Sequence, residues 1–352
     1  EKITDERVYH SLKGVYGHGE TAGGDVTELV DRIRLAGLSR LYLAKKDFAN
    51  ALKYSEENLQ KNIQHGGINE LLSNYVISGL SYEGLKKYAH AKEYYQKAIN
   101  LIEEVRYSFP TGERESFFTS LRLEPYKGMV RLSSITEDPG IGLFYAESIK
   151  ARALVEGIAT SAKKYQSQDI PARLRENEQI LKSQLVKLYG MREEAYKKGK
   201  EAFKEHQERY EKAKADMDEL IAKLRKEYPG YAALMYPKPF KVEDLPLRDN
   251  EVLLEYELTD KEGYLFVVER GKVTRLFKIP QNKKEIETLV NEFIFPLQDT
   301  STKKQFSSVS GHKLYSLLLA EALRDVHPDK NIIIVPDGIL GLLPFEALVI
   351  NA

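Results

Sequence analysis

The chemistry open to this chain is bounded first by what its side chains can supply. Among 352 residues there is no cysteine, which removes disulfides, thiolate metal sites and a cysteine nucleophile from these residues. Seven histidines remain. His10, His18 and His65 fall in or beside segments that join helical repeats, and His90 and His206 fall on expected helix surfaces. His312 opens a helix and His327 sits in a His-Pro turn. His18 in Gly-His-Gly-Glu is flanked by glycines as a catalytic histidine can be, but its place before a repeat helix reads as a loop histidine. No His-x3-His pair suggests a metal, and no Gly-rich phosphate loop follows a strand. Glu103-Glu104 and Glu193-Glu194 read as solvated helix faces. No metal or cofactor is expected.

Acidic and basic residues balance at 53 each, so no net field draws the chain to nucleic acid or to an anionic membrane. No apolar run approaches the length of a membrane span. Glu1 stands first, with neither Met nor a signal-like segment, so the start was removed or the sequence begins inside a longer protein. The cytoplasm is the default compartment.

The elements that would position any site begin with a repeat. Leu35, Ser39, Tyr42, Phe48, Ala51, Ser55 and Asn58 recur forty residues on as Tyr75, Gly79, Tyr82, Tyr88, Ala91, Tyr95 and Ala98. Steps of three and four mark one helix face, and the step of six crosses a tight turn. Ser39, Gly79, Ala51 and Ala91 are small where two helices must approach. A third pair is expected over 124–158, turning at Glu137-Asp138-Pro139-Gly140, and 9–31 reads as the tail of an earlier repeat with a Gly-rich loop. Stacked pairs form a solenoid with a concave surface. Arg40, Ser73 and Glu83 are placed on that surface as candidate contacts for a partner protein; the plainer reading is solvated helix surface.

Residues 171–228 are nearly all helix formers. Leu174, Leu181, Leu188, Ala195 and Ala202 form one heptad series, and Phe203, Tyr210, Met217 and Leu224 another, out of phase near Gly199. A helical hairpin turning between Gly190 and Ala202 buries both seams. Tyr228-Pro229-Gly230 stops the helix, and Pro237, Pro239 and Pro246 mark an extended linker. From Glu251 the period becomes two: EVLLEYELTD, YLFVVERG and KVTRLFKI predict an antiparallel meander. Helices follow over 283–295, closed by Pro296, and over 311–326, with a polar loop at 300–308 between them. Asn331 to Val349, NIIIVPDGILGLLPFEALV, then reads as a strand buried on both faces of a parallel sheet, followed by a turn. The chain ends three residues later, so this strand is expected to pair with polypeptide outside the sequence. Four domains result: 1–165 helical repeats, 166–230 charged hairpin, 231–250 Pro-rich linker, and 251–352 the start of an α/β domain.

The repeat pattern, clearest in NYVISGLSYEGLKKYAHAKEYYQKAI, resembles the tetratricopeptide repeat (TPR). Followed by AESIKARALVEGIA, the charged hairpin, YPGYAAL, LLEYELTD and IIIVPDGILGLLPFEAL, it resembles the TPR–CHAT family over nearly the whole chain. The run containing Pro336, Asp337, Gly338, Leu343, Pro344, Phe345, Glu346 and Leu348 is the most specific part. The resemblance implies a TPR-like solenoid and hairpin, then the N-terminal part of a caspase-like α/β domain with meander, two helices and first parallel strand. It also implies cysteine-endopeptidase chemistry by a His–Cys dyad, with the TPRs recruiting a protein substrate or activator in bacterial defence or cell death. In that family both dyad residues follow later strands, so no catalytic residue is carried onto this chain. The implied partners are that substrate or activator and the remaining C-terminal half of the CHAT domain, with neither direct nucleic-acid binding nor a membrane. The alternative is a non-catalytic TPR adaptor, or a pseudo-peptidase, that binds a protein partner.

Overall fold

A computed structural model describes residues 26–65, 68–105, 120–161, 170–236, 242–298 and 308–350. Most of the expected repeat tail, the histidines His10 and His18 and nearly all of the polar loop at 300–308 lie outside them; residues 26–31 of that tail begin a helix. The chain is mostly helical, with a small mixed sheet near its C-terminal end. It divides into two compact units, Glu1–Gly128 with Ala151–Lys238, and Met129–Lys150 with Pro239–Ala352.

Six helices come first among the described residues: α1 (Val26–Ala44), α2 (Phe48–His65), α3 (Ile68–Gly84), α4 (Tyr88–Val105), α5 (Ser120–Ile135) and α6 (Pro139–Ser161). They form three pairs joined by the same turn. Lys46, Lys86 and Glu137 occupy it with φ of 58°, 59° and 55°. In the first two turns the residue after the left-handed one donates back into the helix, Asp47 N–H to Tyr42 O and Lys87 N–H to Tyr82 O, each at 2.9 Å. Asp138 N–H reaches Ser133 O at 3.1 Å in the third. This satisfies carbonyls that a helix end leaves open.

The small residues of the repeat do what their size suggests. Ser39, Ala51 and Ala91 are fully buried. The Tyr95 ring lies between Gly79 and Gly128: a Cβ on Gly79 would stand 2.6 Å from its Cδ1, and one on Gly128 closer still to its Cε2. Phe48 fills the space over Gly84 in the same way.

The hairpin is formed by α7 (Ala172–Gly190), a short α8 (Arg192–Lys197) and α9 (Lys200–Glu227). Its turn falls within the expected interval. Leu181, Tyr210, Met217 and Leu224 of the two heptad series are buried between them. His206 is buried as well, with Nε2 2.7 Å from Leu188 O, which corrects its expected surface position. The expected linker is also corrected at its start. Pro229–Met235 forms a helix, α10, and Ala232 and Tyr236 bury against the hairpin. The reason is polar: the Tyr231 hydroxyl donates at 2.7 Å to the buried Glu178 carboxylate, and Tyr236 and Lys182 donate to its other oxygen.

In the second unit, β1 (Glu251–Leu258), β2 (Gly263–Glu269) and β3 (Lys272–Ile279) form the expected meander. Next come α11 (Lys283–Gln298), α12 (Ser308–Leu318) and α13 (Ala320–Leu323), then β4 (Asn331–Val335), in the sheet order β3-β2-β1-β4. β4 is parallel to β1, with Val252 beside Ile332 and Glu255 beside Val335. Pro296 falls inside α11 rather than closing it, and the second expected helix breaks at Leu319. Val252, Leu254, Tyr256 and Leu258 of β1 pack with Ile286, Val290, Phe293 and Leu314 on one face.

The opposite face is covered by residues 129–150 of the third helix pair. A Cβ on Gly142 would stand 3.0 Å from the Phe266 ring, so α6 lies close on β2. Residues 129–150, expected among the repeats, are therefore the second outer layer of the α/β unit. β4 is not buried on both faces as expected. Ile332 and Ile333 are 36% and 37% exposed, because β4 has a neighbour on one side only among the described residues.

Candidate functional site

The sheet has two edges of opposite character. On β3, Lys272, Thr274 and Lys278 are exposed. Arg275 is tied to Ala322 O at 2.9 Å and to Asp325 at 3.2 Å, and the β2–β3 ladder is irregular at Val267/Val268. Charges and irregular pairing are how a sheet edge avoids adding strands. β4 has neither device, since its row is Ile332, Ile333, Ile334 and Val335.

The ladder also shows which β4 groups are open. Asn331 N–H donates to Asn250 O at 2.8 Å, so Asn331, Ile333 and Val335 direct their main-chain groups towards β1. By alternation, the N–H and C=O groups of Ile332 and Ile334 point away from it. The next rung after Val335 is made by a side chain: Asp337 Oδ2 accepts the Leu258 N–H at 2.7 Å.

The rest of the Pro336–Leu348 run is packing. Gly338 takes φ of +53° beside Lys283. Leu343 is buried, the Phe345 ring lies 5.8 Å from that of Tyr256 at a tilt of 34°, and Leu348 is half-buried against the same core. Pro344 is half-buried, and Pro336 and Glu346 are exposed. These residues close one face of the sheet at the C-terminal ends of its two parallel strands, where α/β sheets place their chemistry.

The other face holds charges that the period-two reading leaves in water. Glu255 and Glu257 are 1% and 4% exposed. Lys150 Nζ lies 2.7 Å from Glu255 and 3.5 Å from Glu147. Burial first, then the hydrogen bond with Glu147, pushes the Glu255 carboxyl above the ordinary carboxylate range, against the pull of Lys150. Burial opposes the Lys150 charge, but the Glu255 carboxyl beside it holds its pKa above the ordinary value. This cluster fastens α6 to β1 and is closed to any substrate. The signal for it was Glu147 and Lys150, three apart and so on one helix face within AESIKARALVEGIA.

On the repeats, Arg40 and Ser73 come together, with Nη2 3.2 Å from Oγ. Ser73 is buried and Arg40 exposed. Glu83 is elsewhere, accepting the Tyr95 hydroxyl at 2.5 Å. A tyrosine belt that sequence reasoning passed over lies between α2, α3 and α4. Tyr82 and Tyr94 both reach Glu56 Oε1, at 2.6 and 3.4 Å, and Tyr82 stacks on His90 at 5.0 Å. Desolvation, then the Glu56 charge, pushes the Tyr94 hydroxyl up to about 12.

His312 Nδ1 lies 3.2 Å from Val349 O and its Nε2 3.4 Å from Ser316 Oγ; His327 is exposed next to Asp329. Among the described residues no group of three or more His, Asp or Glu is placed to hold a metal, and no helix is long and apolar enough to cross a membrane. A cavity of about 530 Å³ is lined by Pro139, Gly140, Glu243, Arg270 and Lys272 among others, with no histidine or hydroxyl among its lining residues. Comparison with known proteins returned no matching family model, no matching curated protein and no matching solved structure.

Proposed function

We propose that this chain is the non-catalytic N-terminal portion of a caspase-like cysteine endopeptidase of the bacterial TPR–CHAT type. Its TPR-like pairs recruit a protein substrate or activator in defence or cell-death signalling, in the cytoplasm. Its sheet is completed at β4 by the C-terminal half of the CHAT domain, which carries the His–Cys dyad. The observation that carries the reading is the contrast between the sheet edges: β3 is guarded by charge, and β4 presents four apolar residues with the groups of Ile332 and Ile334 open. A parallel strand seated there would put its C-terminal end beside Asp337 and Leu258, where a nucleophile and base could be presented.

The test is the reading frame beyond residue 352. Its product, expressed with this region, should be alkylated at one cysteine by a peptidyl acyloxymethyl ketone. Replacing a Gly-flanked downstream histidine should abolish that labelling. A frame without either dyad residue would leave a second reading, a protein-binding adaptor or pseudo-peptidase. The lack of cysteine in these residues favours that one for the chain acting alone.

A further inference from the structure

The first helix of each later pair receives the pair before it on one side. On α3 that side carries Ser73, Ile77 and Ser81, all buried. Arg40 of α1 reaches Ser73, and Phe48 of α2 lies over Gly84. On α5 the same side carries Gly128, over which the Tyr95 ring of α4 sits. The shared turn fixes the correspondence, because Lys46, Lys86 and Glu137 occupy the same place in it. Nine residues before each of them stand Gly37, Ile77 and Gly128.

On α1 this side is open among the described residues. Leu29, Ile33 and Leu41 are 41%, 44% and 48% exposed, and a Cβ on Gly37 would meet nothing within 4 Å. Four-residue steps place these positions in one stripe along the helix. An apolar stripe at the end of a repeat array wants cover, since each pair buries its face only against a neighbour. The surrounding charge says what kind. Residues 29–46 hold five basic residues and one acidic one, Asp31, which Lys61 at 2.9 Å and Arg34 at 2.6 Å already engage. By helix phase, exposed Arg40 falls towards one edge of the stripe, and exposed Arg34 and Lys45 fall on the other.

We propose that this side of α1 docks an amphipathic helix of a partner protein. A bulky apolar residue of that helix lies over Gly37, as Tyr95 lies over Gly128, and acidic residues along its edges meet Arg34, Arg40 and Lys45. Docking of this kind draws its affinity from the buried anchor, while the charged rim selects the partner. The surface gives a partner chemistry to the recruiting role proposed for the helix pairs, and it rests on that role rather than on the peptidase assignment.

The probe is a fluorescein-labelled helical peptide with a central Tyr between Leu residues at four-residue steps and Glu along both edges. Adding the whole chain should raise its anisotropy. A twin peptide with Lys in place of every Glu should bind more weakly by about tenfold or more. Gly37→Leu fills the anchor's place on an exposed helix face and should not lower the unfolding midpoint. That variant and Leu41→Glu should each weaken binding of the first peptide by about tenfold or more. Absence of binding, equal binding of the twins, or binding that neither substitution changes would overturn the docking surface. A dimer in sedimentation that Gly37→Leu splits would give the face to a second copy. A photo-cross-link from position 33 to residues 1–25 would give it to the chain's own start; either result overturns the proposal. Thiol labelling in the longer reading frame does not depend on this face, so failure here and failure of the peptidase reading are separate results.

Discussion

Asp337 Oδ2 accepts the Leu258 N–H at 2.7 Å, in the position where the next main-chain carbonyl of β4 would stand. The turn that ends β4 is thereby tied to the end of β1, and the parallel pair finishes squarely although one strand has stopped. Removing the carboxylate leaves a strand N–H half-buried without an acceptor. Asp337→Ala should cost about 1–2 kcal/mol. Asp337→Asn, whose Oδ1 can still accept, should lose less than half of that. Chemical denaturation followed by far-ultraviolet dichroism would give both values.

The buried Glu255 carboxyl makes stability depend on pH with a definite sign. Its folded pKa is raised above the ordinary 4.5, chiefly by burial. The stability it contributes is therefore complete below pH 4.5 and is lost as pH rises through its raised folded pKa. Glu255→Gln keeps the shape and a donor for Glu147 but has no proton to lose. It should flatten that descent, its stability relative to the parent chain rising as pH increases. Denaturation midpoints at pH 5, 7 and 8.5 would show two converging lines, lying together at pH 5.

Tyr95 makes two glycines obligatory. A methyl on Gly79 or Gly128 meets its ring well inside van der Waals distance, whereas one on Gly37, in the middle of α1, meets nothing within 4 Å. Gly128→Ala should destabilise by about 1–3 kcal/mol through overpacking. Gly37→Ala should stabilise by about 0.5–1 kcal/mol through the entropy of the unfolded chain. Opposite shifts of the thermal midpoint are expected from the same chemical change.

The shared turn carries strain that can be relieved. Lys46, Lys86 and Glu137 hold positive φ without being glycine. Lys86→Gly removes the Cβ conflict and should gain about 0.5–1 kcal/mol net of glycine's greater unfolded entropy. Lys86→Val, β-branched, should lose more than that. A ranking of glycine above lysine above valine in urea midpoint checks the turn in solution.

Much of this architecture was legible because its signals are local. The recurrence of Ser39 at Gly79 and of Ala51 at Ala91 reports helix approach whatever lies beyond. Leu181 and Met217 report a seam by their spacing alone. The burial of Glu255 and Glu257 was not legible, since alternation along a strand reads polar residues as facing water and the covering helix lies a hundred residues away. The stretch 124–158 was read as a repeat pair because close packing demands small residues, here Ser133, Gly142 and Ala146, equally against a helix or a sheet. The run Ile332–Val335 was read as buried on both faces, yet apolar residues state only that cover is wanted; neighbours must supply it. At the repeat face, Glu83 was placed by helix phase, and only the position of the Tyr95 hydroxyl showed that its carboxylate is engaged.

The outward alternation of β4 gives the sharpest distinction between a strand that receives a partner and one that merely ends a sheet. Ile332 and Ile334 direct their N–H groups away from β1, and Ile333 directs its own towards it. Proline at 334 removes an outward donor and spares the β1–β4 ladder, so its cost in unfolding free energy should be the lost packing of half-buried Ile334, about 1–2 kcal/mol. Proline at 333 removes a ladder bond and should cost about 3 kcal/mol or more. In the product of the longer reading frame, Ile334→Pro should weaken seating of the added strand and reduce thiol labelling at least tenfold. If labelling is unchanged while Ile333→Pro still unfolds the unit, β4 is the true end of the sheet and the completing strand lies elsewhere.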